Sequence, residues 1–280
     1  MSAVRACYWN GVAVDQVPAE ARALHYGDGV FRTLLQRDGE IIALDRHLAR
    51  LGDDAAAIGL DRPDPALLAA ELAPLRTLGD ATLKLLLSRG AAGRGYRPST
   101  SRADRLLLAY DAPPRSAAEA VEGIAAIRSP VTLAAQPRLA GIKHLNRLEQ
   151  VLASRDWPEG VAEAILGDDR GQPVCATRAN LFWVRHGVLH TPALDRCGVA
   201  GVTRDRVLAE AAALGLDCRI ASQPWAQLLA ADEAFLSGSL IGIWPLARLD
   251  DHAYPTARPL TRRLQQRLAH PSNVHLLEPR

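Results

Sequence analysis

Cysteine is scarce in this chain, and its four positions, Cys7, Cys175, Cys197 and Cys218, are far apart. No paired-cysteine spacing exists to staple a small secreted fold or to hold a structural zinc, so reduced, mostly buried thiols and no metal are expected. Long apolar runs are missing as well. Met1 to Asn10 carries Arg5 but nothing that could serve as the core of a signal peptide. No later segment approaches the roughly twenty apolar residues of a membrane span, which predicts a cytoplasmic protein. An excess of one charge is also absent: 33 Lys and Arg stand against 31 Asp and Glu, with the basic residues scattered. That balance gives no case for nucleic acid or an anionic membrane as partner and leaves a small molecule as the expected ligand. Neither an internal repeat nor a low-complexity tract stands out.

What is present is length and apolar content. In 280 residues, 48% are hydrophobic and 23% charged, enough to bury one large core or two moderate ones. Val4 to Trp9, Asn10-Gly11 and Val12 to Val14 predict a hairpin, because Asn-Gly adopts the positive φ that a two-residue turn requires. Val30 to Gln36, Arg37-Asp38-Gly39 and Glu40 to Leu44 repeat that arrangement. From Asp45, the spacing of Leu48, Leu51, Ala55 and Ile58 predicts a helix capped by Asp45 and ended by Gly59. A second helix is expected over Asp64 to Leu78, with strands over Ala81 to Leu87 and Arg105 to Tyr110. Asp111-Ala112-Pro113-Pro114-Arg115-Ser116 breaks both periodicities, so a small N-terminal α+β domain is expected over 1–113 and a larger C-terminal domain over 114–280.

In the second half, strands are expected at Ile124 to Arg128, Ala162 to Leu166, Asn180 to Val184, Ala234 to Leu236 and Ile243 to Leu249. Helices are expected at His144 to Arg155, with Leu145, Leu148, Val151 and Leu152 on one face, and at Thr203 to Leu214, Trp225 to Ala230 and Leu260 to Leu268. Two α+β domains with a ligand in the groove between them is the coarse reading.

One stretch combines a glycine-containing loop, a lysine and an apolar helix: Gly141-Ile142-Lys143-His144-Leu145-Asn146-Arg147-Leu148-Glu149-Gln150. Lys143 could be an ordinary solvated lysine at a helix start. Cationic or apolar neighbours, here His144 and Arg147, could equally make it a nucleophile toward an aldehyde. Those ten residues resemble the cofactor-lysine segment of bacterial aminodeoxychorismate lyases. These belong to the class IV pyridoxal-phosphate enzymes, a group that also holds branched-chain and D-amino-acid aminotransferases. The resemblance continues through Tyr26-Gly27-Asp28-Gly29-Val30-Phe31, His47-Leu48-Ala49-Arg50-Leu51, Ser88-Arg89-Gly90, Gly93-Arg94-Gly95-Tyr96, Ala179-Asn180-Leu181-Phe182-Trp183, Gly201-Val202-Thr203-Arg204 and Ala231-Asp232-Glu233.

The resemblance implies fold type IV, an active site between two domains, pyridoxal 5'-phosphate as cofactor and a homodimer. The implied reaction splits 4-amino-4-deoxychorismate into 4-aminobenzoate and pyruvate for folate synthesis. Lys143 would be the catalytic lysine and carry the cofactor. Arg50, Val202, Thr203 and Ser239 would bind its phosphate, and Leu189 is counted among the cofactor contacts. On the residues alone, Arg50 could be a helix-face arginine, Thr203 an N-cap and Ser239 a turn serine. Gly201 to Thr203 does open a helix, whose unpaired N–H groups attract anions. Arg94 aligns with an arginine that holds a substrate carboxylate, although a glycine-rich surface loop is the alternative. Arg32 is a second candidate contact, or an outward-facing strand arginine, and Tyr26 either lines the same pocket or packs there.

Cys175 departs from the pattern. Most relatives carry a glutamate five residues before the asparagine of Asn-Leu-Phe, where its charge keeps the cofactor's pyridine nitrogen protonated. A neutral thiol cannot supply that charge. Elimination that ends in an aromatic ring needs less carbanion stabilisation than transamination does, so Cys175 weighs against an aminotransferase and is offered as a weak partner of that nitrogen.

Overall fold

The computed structural model describes residues 3–91, 95–114 and 118–273. The chain forms two compact units, Met1–Pro114 with Ile142–Asn146, and Arg115–Gly141 with Arg147–Arg280. Residues 142–146, assigned by sequence to the C-terminal half, lie in the first unit.

The first unit contains β1 (Val4–Trp9), β2 (Val12–Ala13), α1 (Arg22–Tyr26), β3 (Gly29–Arg37), β4 (Glu40–Ile41), α2 (Leu44–Ala57), α3 (Pro65–Leu72), a 3-10 turn over Ala73–Leu78, β5 (Ala81–Arg89) and β6 (Ala103–Tyr110). Its antiparallel sheet has the order β2-β1-β6-β5-β3-β4. Both expected hairpins form, with Asn10 and Gly11 at φ 52° and 82° and Asp38 and Gly39 at 51° and 81°. Strand alternation sends Val30, Leu34, Leu83, Leu85, Leu87, Leu107 and Ala109 into one core with Leu48, Leu51 and Ala55 of α2 and Leu68 and Leu72 of α3. Two helix expectations need correction. Ala43, in the left-handed region at φ 54°, precedes α2, so Asp45 sits in the first turn and does not cap it. The helix from Asp64 stops at Leu72 because Pro74 cannot donate to a continued ladder, although Asp64 does cap it by accepting from the Ala66 N–H at 2.8 Å.

The second unit contains α4 (Ala118–Val121), β7 (Ile124–Leu133), α5 (Leu148–Ala153), β8 (Val161–Asp168), β9 (Pro173–Ala176), β10 (Asn180–Arg185), β11 (Val188–Thr191), α6 (Val202–Ala213), β12 (Cys218–Ile220), α7 (Trp225–Leu229), β13 (Glu233–Gly238), β14 (Gly242–Leu249), β15 (His252–Ala253) and α8 (Pro259–Leu268). The sheet runs β12-β11-β10-β13-β14-β7-β8-β9, and β9 also pairs with β10, closing six strands into a ring. Leu181 and Trp183 of β10 enter one cluster with Leu236 and Leu246. The alternate residues Phe182 and Val184 pack with Val207 and Ala211 of α6 and Leu264 and Leu268 of α8. The helix expected from His144 begins only at Leu148, since His144 pairs as a β-bridge with Val30. Its apolar residues Leu148, Val151 and Leu152 are 69%, 57% and 44% exposed.

Candidate active site

In the first unit, Lys143 is held by its backbone from both directions. Its N–H donates to Asp54 Oδ2 at 2.9 Å, its carbonyl accepts from the Phe31 N–H at 2.9 Å, and the Leu145 N–H donates to the Gly29 carbonyl at 2.9 Å. The segment therefore runs as an extra strand beside the start of β3. Gly29 makes this approach possible: a Cβ there would lie 2.2 Å from the Leu87 carbonyl and 2.8 Å from Leu145 Cδ1. With the main chain fixed, the half-buried Lys143 side chain places Nζ 4.5 Å from the centroid of the Phe31 ring.

Asp54 lies four residues after Arg50 on α2 and is 4% exposed. Besides the Lys143 N–H it accepts from Arg32 Nη2. Burial pushes its carboxyl above the ordinary aspartate value, although Arg32, the Lys143 N–H and Arg50 all pull the other way. This arrangement corrects the expectation for Arg32. Strand alternation turns it away from the face of Phe31 and Thr33 and into the core, where it is 2% exposed against Asp54 and unavailable to a substrate. Arg50 itself is half-buried, and its carbonyl lies 3.5 Å from Arg32 Nη2.

Tyr26 is engaged with the loop that follows β5. Its hydroxyl accepts from the Gly95 N–H at 3.1 Å, its ring meets Tyr96 edge-on at 5.5 Å, and the Arg22 guanidinium lies 4.7 Å from its centroid. Arg94, its candidate companion, lies outside the described residues.

In the second unit, Gly201 is the N-cap residue of α6, with no side-chain cap, and Val202 and Thr203 are the first helical residues, each 3% exposed. The N-cap alternative for Thr203 is thereby set aside. A Cβ on Gly201 would lie 2.3 Å from Asn180 Oδ1, and Asn180 Nδ2 donates to the Val199 carbonyl at 2.7 Å, so glycine lets this turn close on β10. Ser239, half-buried between β13 and β14, has its carbonyl 3.0 Å from His270 Nε2. Cys175, 6% exposed, packs with Leu133, Ala153, Leu166, Val174 and Cys197. Leu189 is corrected to a packing residue: it is 1% exposed in the cluster formed with Phe182, Val207 and Leu264.

The sequence family described as amino-transferase class IV matches residues 29–249. The chain belongs to this family. A class IV relative named aminodeoxychorismate lyase, from Vibrio harveyi, is 33% identical over 93% of this chain and 99% of its own length. A putative branched-chain-amino-acid aminotransferase of Methanocaldococcus jannaschii is also 33% identical, over 87% of each chain. Among solved structures, 4-amino-4-deoxychorismate lyase from Pseudomonas aeruginosa superposes with a TM-score of 0.86 at 39% identity, covering 94% of this chain and 97% of that one. The fold is fold type IV, and the family's cofactor is pyridoxal 5'-phosphate.

The residues present fit that cofactor. Its dianionic phosphate suits the uncapped first turn of a twelve-residue helix with a threonine hydroxyl, and its aldehyde suits a primary amine whose backbone is fixed. Two contributors, Asp54 and Phe31, escaped the sequence reading. A signal for Asp54 existed: an aspartate on the apolar side of an amphipathic helix, three residues after Leu51, is misplaced unless it has a buried partner.

Proposed function

We propose that this protein is an aminodeoxychorismate lyase, which splits 4-amino-4-deoxychorismate into 4-aminobenzoate and pyruvate. The observation that carries the reading is the two-sided backbone clamp on Lys143, on a chain whose similarity to named lyases spans nearly its whole length. Pyridoxal phosphate, when bound, supplies an electron sink for the carbon that bears the substrate amine. Lys143 would hold the cofactor through its amine and would serve as general base on that carbon. Val202, Thr203 and Ser239 would hold its phosphate, and Arg50 would pair with that dianion as a guanidinium. Loss of the enolpyruvyl ether oxygen from the neighbouring carbon makes the ring aromatic, and Lys143 returns its proton to the departing enolate to give pyruvate.

Cys175 supports elimination over transamination, because a thiol among apolar neighbours offers no fixed negative charge to the pyridine nitrogen. A cytoplasmic homodimer making 4-aminobenzoate for folate synthesis belongs to the same proposal, and the exposed apolar residues of α5 offer a face for a second copy. The second reading, a branched-chain or D-amino-acid aminotransferase, draws on the similarity to such enzymes. Purified holoenzyme supplied with aminodeoxychorismate should release 4-aminobenzoate and pyruvate in equal amounts. It should remain in the aldehyde form of its cofactor when offered L-leucine or D-alanine. Rapid conversion to the pyridoxamine form by either amino acid, without release of 4-aminobenzoate, would establish the aminotransferase instead.

A further inference from the structure

The segment that follows α8 turns back onto the connection between β13 and β14, all of it within the second unit. Ala269, left-handed at φ 45°, ends the helix, and His270, Ser272 and Asn273 are 1%, 8% and 3% exposed. These three side chains reach three successive carbonyls of the connection. His270 Nε2 lies 3.0 Å from the Ser239 oxygen, Ser272 Oγ 2.9 Å from that of Leu240, and Asn273 Nδ2 3.3 Å from that of Ile241. Asn273 also engages β14, accepting from the Ile243 N–H through Oδ1 at 2.9 Å and donating to the Ile243 carbonyl at 3.2 Å. Gly242, at φ 64°, makes this approach possible: a Cβ there would lie 2.1 Å from Asn273 Oδ1 and 2.8 Å from His270 Nδ1.

One tautomer of His270 serves its contacts with Ser272 and Ser239. The Ser272 N–H can only donate, so Nδ1, 3.2 Å away, accepts, and the ring proton sits on Nε2, which donates it to the Ser239 carbonyl. The three carbonyls thus turn their negative ends toward the segment. A trans peptide sets its N–H opposite its C=O, so the positive ends of the same three dipoles face the other side of the turn. Without those donors the peptides would be free to rotate and present oxygen on that side. A phosphate dianion is attracted by the first arrangement and repelled by the second.

We propose that His270 and Ser272 are positioning residues for the cofactor phosphate: they hold the peptides of residues 239–241 so that the Ser239 hydroxyl and the positive side of the turn meet that dianion. This inference rests on the reading that Ser239 binds the phosphate, and it applies to elimination and transamination alike.

Full-length protein freed of cofactor is titrated with pyridoxal 5'-phosphate and, separately, with pyridoxal, which keeps the aldehyde and lacks the phosphate. Wild type is compared with His270→Leu, His270→Gln, Ser272→Ala and Ser239→Ala. His270→Leu should weaken pyridoxal phosphate about 10-fold, the scale of one misplaced hydrogen bond to a charged group, and leave pyridoxal within about twofold of wild type. Glutamine keeps a donor near the Nε2 position, so His270→Gln should recover most of the loss. Ser272→Ala should weaken pyridoxal phosphate selectively by about threefold, and it decides the matter if His270→Leu does not fold. An equal loss for both ligands would mean that the segment only supports the fold, and it overturns the proposal. So does pyridoxal phosphate affinity within about twofold of wild type in those of the His270→Leu and Ser272→Ala variants that fold. Ser239→Ala separates two kinds of failure. Selective weakening by it alone leaves the phosphate reading standing without the positioning residues, whereas unchanged affinity in Ser239→Ala removes the phosphate reading and the proposal with it.

Discussion

Asp54 serves three partners with one carboxylate, accepting from the Lys143 N–H and from Arg32 while feeling the charge of Arg50. Removing it takes the opposing charge away from the 2% exposed Arg32 guanidinium. Asp54→Ala should therefore lose about 3–5 kcal/mol in urea unfolding, the scale for breaking a buried ion pair from one side. An unchanged urea midpoint would show that the pair contributes nothing. Lys84, on β5 with Nζ 5.0 Å from the centroid of the Phe31 ring, predicts the opposite sign. Its folded pKa is depressed below the ordinary 10.5, so its stabilising contribution is complete only above that value and is lost as pH falls through the depressed one. The other titratable groups that alternation puts on its face of the sheet are Cys7, Arg37, Glu40, Asp104 and Tyr110, and Lys143 lies over the same Phe31 ring. At neutral pH, Lys84→Met should be more stable than wild type by about 0.5–2 kcal/mol, the scale of a single stabilising substitution. The gap should narrow as pH rises toward 10.5; denaturation at several pH values would reveal a constant or reversed gap if Lys84 were not strained. At this scale the sequence was informative about chemistry and poor about orientation. Lys143 lies on a pinned backbone and Val202 and Thr203 at an uncapped helix terminus, and the cofactor roles proposed for them rest on that placement. Arg32 and Leu189 were misjudged because residue type does not reveal which face of a strand a side chain occupies.

Elements legible in sequence were those whose local signals agree with their packing. Asn10-Gly11 and Asp38-Gly39 close hairpins because they tolerate positive φ, and α2 follows from one apolar stripe. The helix expected from His144 failed at its start because residues 142–146 satisfy their backbone groups against β3, a partner more than a hundred residues away in sequence. Periodicity cannot report such a pairing. Gly29 is the hinge of that arrangement, and Gly29→Ala should force the strands apart, since its Cβ would meet a backbone oxygen at 2.2 Å. A loss of about 2–4 kcal/mol is expected, in the range of overpacking and strain. Amide exchange at Phe31 and Leu145, whose N–H groups bridge the two segments, should accelerate; wild-type protection at both would contradict this account of the clamp. On α6, Gly201→Ala should push Asn180 away and weaken pyridoxal phosphate about tenfold or more, measured by cofactor titration.

At the scale of the whole molecule, each unit has its own apolar core, one built on the antiparallel six-stranded sheet and the other around the ring of β10, β13, β14, β7, β8 and β9. The Pro-Pro break near 113–114 was visible because proline ends both periodicities, whereas the return of Ile142–Asn146 to the first unit had no local signature. No helix among the described residues is long and apolar enough to cross a membrane. The exposed Leu148, Val151 and Leu152 on α5 make assembly testable: sedimentation should give about twice the chain mass of 30.1 kDa, and Val151→Glu should shift it toward one chain. A monomeric wild type would remove the homodimer from the proposal. The central claim, elimination by Lys143, is tested most directly by a single turnover. Wild-type holoenzyme and Lys143→Ala, each in excess over aminodeoxychorismate, are followed by the fluorescence of 4-aminobenzoate. The account predicts one equivalent of product from the wild type and none from Lys143→Ala; no product from the wild type, or equal product from both, would contradict it.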